Sequence, residues 1–94
     1  MLKELVDLFL ESAPQRISQI THFLNDPPKM AFHAHALRSM SLNLGANKLV
    51  AICQKLEQMG HANNVEGADK LLQELEATFK KTQAELIPLR DQIG

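Results

Sequence analysis

Ninety-four residues, ten Lys/Arg against eleven Asp/Glu and a net charge of −1 describe a near-neutral chain with material for one core and not two. The balance of charge, with no basic stripe carrying interleaved aromatics, excludes a nucleic-acid footprint. No apolar run reaches the roughly twenty residues a membrane span needs, and a single cysteine, Cys53, excludes an internal disulfide and a multi-cysteine zinc site.

From Leu2 to Leu24, apolar residues recur at helical spacing: Leu2, Leu5, Phe9, Ala13, Ile17, Ile20 and Leu24. Pro14 interrupts the pattern by removing a hydrogen bond to Leu10, and the stripe continues in phase across it, so a kinked helix is expected. Asn25-Asp26-Pro27-Pro28 ends that element. A second helix is expected from about Pro28 to Leu44, stopped by Gly45 as a left-handed cap. A third covers Asn47 to His61, with Leu49, Ile52, Cys53, Leu56 and Met59 on one face. A polar turn follows, in which Asn63 or Asn64 is placed to cap a fourth helix from Val65 to Ile93. Four Phe with no Trp or Tyr suit aliphatic helix packing. Short connections make neighbouring helices antiparallel. The expectation is all-α: an antiparallel up-down four-helix bundle, one domain over residues 1–94. The N-terminus lacks the basic-then-apolar pattern of a signal peptide, which points to the cytoplasm.

The run from Phe32 to Ala46 holds the chemistry. At about 100° per residue, Met30, Ala34, Leu37, Ser41 and Leu44 fall on one side of the second helix, with His33 and Met40 at the edge of that stripe. His33 therefore reads as a hydrogen-bonded structural histidine. His35 lies about 160° from Leu37 and points away from the core. Arg38 and Ser39, three and four residues on, are its neighbours on the open face, with Ala31 and Leu42 close by. Phe32 also lies on this outer side. An outward Phe and Leu around an outward His make an apolar patch of the kind that docks a partner. Phase alone leaves two readings of His35, a solvated side chain or a working one.

Other chemistries fit poorly. His33 and His35 point about 200° apart and cannot share an ion. His22 and His61 stand elsewhere, with no Cys or acidic partner at a telling interval, so no metal site is expected. Ser39 can touch His35, but no orienting Asp and no strand-turn-helix elbow accompany it. Gly45, Gly60, Gly67 and Gly94 are too scattered to cradle a nucleotide phosphate. Any phosphoryl group here comes from another protein. Cys53, on the apolar face of the third helix, reads as a small core residue.

The sequence His35-Ala-Leu37-Arg38-Ser39, then Asn43-Leu44-Gly45-Ala46, then Leu49, Cys53 and Leu56-Glu57, resembles the histidine-containing phosphotransfer (HPt) domain. That family's pattern is His-x-Leu-Lys-Gly, a glycine ten residues past the histidine and an apolar helix ending near Leu-Glu. The N-terminal LVDLFLESAPQRI looks like the family's first helix, and the similarity spans essentially the whole chain. The resemblance implies a phosphocarrier rather than a self-sufficient enzyme. His35 would take a phosphoryl group from a receiver-domain aspartate and pass it to another receiver. Arg38, where the family usually has Lys, would steady the phosphoryl oxygens, and Glu57 would hold the other imidazole nitrogen. Ala31, Phe32, Arg38, Ser39 and Leu42 would meet the partner. Ser39 replaces the usual Gly, which implies slower transfer or altered partner choice. No cofactor is expected in this chain; magnesium belongs to the receiver. The implied partners are receiver domains of response regulators or hybrid sensor kinases, met by a monomer without membrane contact. The competing reading is a non-phosphorylated helical module that docks a receiver or another partner through the apolar patch around His35.

Overall fold

A computed structural model describes residues 2–93, folded into four helices: α1 (Leu2–His22), α2 (Pro27–Asn43), α3 (Asn47–His61) and α4 (Ala68–Ile93). α1 packs on α2 and α4, and α3 packs on α2 and α4, with the α2–α3 seam the most extensive. Each helix thus lies against its neighbours in sequence and the chain closes into a ring, a contact pattern consistent with an up-down bundle joined by short loops. The body is elongated, 43 × 20 × 20 Å.

α1 buries Val6, Phe9, Ala13, Ile17 and Ile20, a spacing of three and four that makes one stripe. The stripe starts at Val6; Leu2 is about half exposed. The helix carries on through Pro14, which stands on the exposed side, where the missing N–H leaves the Leu10 carbonyl without its helical donor. Pro27 and Pro28 open α2 at the first turn, where a missing N–H costs nothing. α2 ends as its glycine requires. Gly45 sits at φ +71°, its N–H donates to the Leu42 carbonyl at 3.1 Å, and the Ala46 N–H donates to Ser41 at 2.9 Å. This pair of bonds satisfies carbonyls that the helix end leaves open.

α3 ends the same way, but on an asparagine. Asn63, at φ +54°, donates to Gly60 at 3.1 Å, and Asn64 donates to Met59 at 3.0 Å. The expectation that Asn63 or Asn64 caps the fourth helix is corrected here. Asn63 closes α3, and the Asn64 side-chain oxygen accepts from the Glu66 N–H at 3.0 Å in a local turn. α4 starts at Ala68 rather than Val65 because Gly67 takes φ +84°, a conformation outside a right-handed helix.

All four helices feed one core, including Phe9, Ile17, Met30, Leu37, Leu49, Leu56, Leu75 and Phe79. Phe9 and Phe79 meet at 5.8 Å between ring centroids across the α1–α4 seam. Ser41 is fully buried, and its hydroxyl donates to the Leu37 carbonyl at 2.8 Å, so its polar group is satisfied. Cys53 is fully buried; burial, then the nearby Glu57 charge, pushes its thiol up to about 12. Among the described residues, no helix is long and apolar enough to cross a membrane.

Candidate functional site

The site lies on the α2–α3 seam, and a glycine sets its width. A Cβ on Gly60 would meet the Ala31 Cβ at 2.5 Å and the Pro27 carbonyl oxygen at 2.6 Å, so α3 presses its bare backbone onto the first turns of α2. Ala31 is accordingly buried, only 2% exposed. The expectation that it lies on the open docking face is corrected, because Gly60 covers it. The same inner stripe of α2, Met30, Ala34, Leu37 and Ser41, holds the opposite face outward. Phe32, His35, Ser39 and Leu42 are exposed there, spaced at three and four so that they form a strip along the helix.

His35 is joined from across the seam. Its Nδ1 lies 2.8 Å from Glu57 Oε1. Glu57 Oε2 accepts from Arg38 Nε at 2.7 Å, and Arg38 Nη2 approaches His35 Nδ1 at 3.1 Å. Nδ1 cannot both donate to the carboxylate and accept from the guanidinium. A carboxylate only accepts, and its contact is the shorter and carries full charge, so the proton sits on Nδ1 and the Arg38 approach is a close contact rather than a hydrogen bond. Nε2 is then left with its lone pair. Burial raises the Glu57 carboxyl, but the hydrogen bonds from His35 and Arg38 and the guanidinium charge outweigh it and hold it below the usual range. Glu57 therefore stays an acceptor.

The three residues expected to carry the chemistry, His35, Arg38 and Glu57, thus form one connected cluster. Arg38 is only partly exposed, and its guanidinium is committed to Glu57 at the Nδ1 edge of the ring. Ser39 and Leu42 are exposed on the strip without further contacts among those described.

A fourth residue was missed. His61 Nε2 stands 3.8 Å from Glu57 Oε1, the oxygen that receives His35. The expectation that His61 has no acidic partner at a telling interval is corrected here: Glu57 precedes it by four, the interval at which helical side chains meet, so the signal was present in the sequence. His35, His61, Phe32 and Glu57 line a shallow, open depression of about 440 Å³ floored by Pro28 and Ala31. No group of three or more His, Cys, Asp or Glu among the described residues is arranged to hold a metal ion.

His33 behaves as a structural residue. Arg16 donates to its Nδ1 at 2.8 Å, and the ring stacks on Phe23 at 5.5 Å with planes 3° apart. Arginine has no acceptor, so the His33 proton sits on Nε2. Burial and then the Arg16 charge hold its pKa below the usual 6.5.

A family model described as the Hpt domain matches residues 4–85. The chain belongs to the Hpt domain family. Hpt domains are helical bundles that take part in phosphotransfer within His-Asp phosphorelays and interact with receiver domains, and the four helices of this Hpt domain agree with that architecture. No curated protein and no solved structure matches the chain.

Proposed function

We propose that this Hpt domain is a phosphocarrier that takes a phosphoryl group onto His35 Nε2 from the aspartyl phosphate of one receiver domain and gives it to the aspartate of another. The observation that carries the reading is the His35 Nδ1–Glu57 contact at 2.8 Å, which leaves a bare Nε2 lone pair on an exposed ring. In the forward step that lone pair attacks phosphorus. The N–P bond forms, the P–O bond to the receiver aspartate breaks, and its electron pair returns to the carboxylate. The Nδ1 proton stays on its nitrogen and the new positive charge on the ring faces Glu57. Arg38, held on Glu57 at the Nδ1 edge before transfer, supplies a second charge once it turns toward the developing phosphoryl oxygens. The receiver brings magnesium and its acidic pocket; this chain contributes the nucleophile and its orientation. The receivers belong to response regulators or hybrid sensor kinases, and the domain works as a monomer in the cytoplasm.

Incubation with a phosphorylated receiver is expected to label the wild type with an acid-labile, base-stable phosphoryl group and to leave His35→Gln unlabelled. Label that persists on His35→Gln, or moves with His33→Gln, rejects the assignment. A second reading, a docking module without phosphorylation, is favoured by the exposure of Phe32 (66%) and Leu42 (58%). It predicts receiver binding that is indifferent to His35→Gln and lost in Leu42→Asp.

A further inference from the structure

We propose that His61 is a positioning residue of this site, a standby donor that keeps Glu57 on His35 when Arg38 turns to the phosphoryl group. The proposal rests on the reading of His35 as the phosphoryl acceptor. The reason lies in how many tasks Arg38 is given. Its Nε donates to Glu57 Oε2 at 2.7 Å and its Nη2 lies against the Nδ1 edge of His35 at 3.1 Å. A phosphoryl group on Nε2 grows from the opposite edge of the ring. A guanidinium that follows that charge gives up some of its hold on the carboxylate, and Glu57 would then keep His35 as its one short contact.

His61 is placed to take over. It follows Glu57 by one helical turn, and its Nε2 stands 3.8 Å from Oε1, one small side-chain rotation from a hydrogen bond. Its side chain is largely exposed and free to make that movement. It lines the depression shared with His35 and Phe32 and also the neighbouring one shared with Arg38, Gln54 and Gln58, so it borders both faces of the cluster. The close approach of Gly60 to Ala31 fixes this placement, since it brings the last turn of α3 against the turn of α2 that precedes His35. Oε1 can accept from two donors at once, so His61 need not displace His35.

The test uses the full chain labelled with ¹⁵N. The ring-nitrogen shifts of His35 report which nitrogen carries the proton. Arg38→Ala is expected to keep the proton on Nδ1, because His61 then holds the carboxylate. Arg38→Ala/His61→Ala is expected to give a mixture of tautomers, and Arg38→Ala/His61→Gln, whose amide can donate, to restore the Nδ1–H form. In the otherwise native chain, His61→Ala is expected to slow labelling by a phosphorylated receiver roughly two- to fivefold, the range of a partly exposed polar pair, with His61→Gln close to wild type. Identical His35 shifts in Arg38→Ala and Arg38→Ala/His61→Ala, or failure of Gln to rescue, overturns the proposal. A wild type that takes no label while the tautomer series behaves as expected overturns the relay reading and leaves the positioning role of His61 standing.

Discussion

Glu57 decides what His35 can do, because a carboxylate on Nδ1 fixes the proton there and an amide does not. Glu57→Gln presents a donor as readily as an acceptor, so His35 loses its preferred tautomer. Labelling by a phosphorylated receiver is expected to fall about tenfold or more, the scale on which orienting partners of functional histidines act. The same residue links stability to pH. Its carboxyl is depressed in the fold from 4.5, so the stability it adds is complete above that value and is lost as pH falls through the lower folded pKa. Acid titration of the unfolding free energy is expected to be flatter below about pH 4.5 in Glu57→Gln than in the wild type. Ser39→Gly is expected to speed transfer, since Ser39 is exposed beside His35 on the strip that meets the partner. At this scale helical phase was enough to separate His35 from His33. It could not place Glu57 across the seam, which came only from the family resemblance. Ala31 was misplaced because phase describes one helix and cannot see the glycine of another lying over it.

The α2–α3 seam is the element on which the site depends. Gly60→Ala drives a methyl into the Ala31 side chain and the Pro27 carbonyl, and neither is the free end of a flexible chain. Urea unfolding is expected to show a loss of about 1–3 kcal/mol, typical of overpacking. Transfer should slow as well, because widening the seam draws Glu57 from His35. The α1–α2 seam carries its own pH dependence through Arg16 and His33. His33 is depressed from 6.5, so the unfolded chain takes up a proton before the folded one does. Stability is full above 6.5 and declines as pH falls toward the lower folded value. His33→Gln is expected to remove that slope in thermal melts as pH falls below 6.5. Helix existence was legible from spacing throughout, and α3 was legible to both ends. α4 was not, because Gly67 looks like a weak helical residue until its positive φ is known, and Asn63 serves the end of one helix as readily as the start of the next.

The molecule as a whole rests on one core shared by all four helices, so damage beneath the site should be felt everywhere. Leu56 is fully buried and precedes Glu57. Leu56→Ala is expected to cost about 2–5 kcal/mol by chemical denaturation, a large fraction of the roughly 5–15 kcal/mol that holds a domain of this kind.

Cys53 then acquires a use that has nothing to do with phosphate. The chain has no Trp or Tyr to report on its own folding, but it has one thiol, fully enclosed one turn before Glu57 and pushed up to about 12 by that enclosure. Only a thiolate in contact with solvent reacts with a disulfide reagent. Modification of Cys53 must therefore wait for the bundle to open, which makes its rate a clock for that opening. Whatever grips the closed bundle, a docked receiver included, should slow the clock in proportion to its saturation.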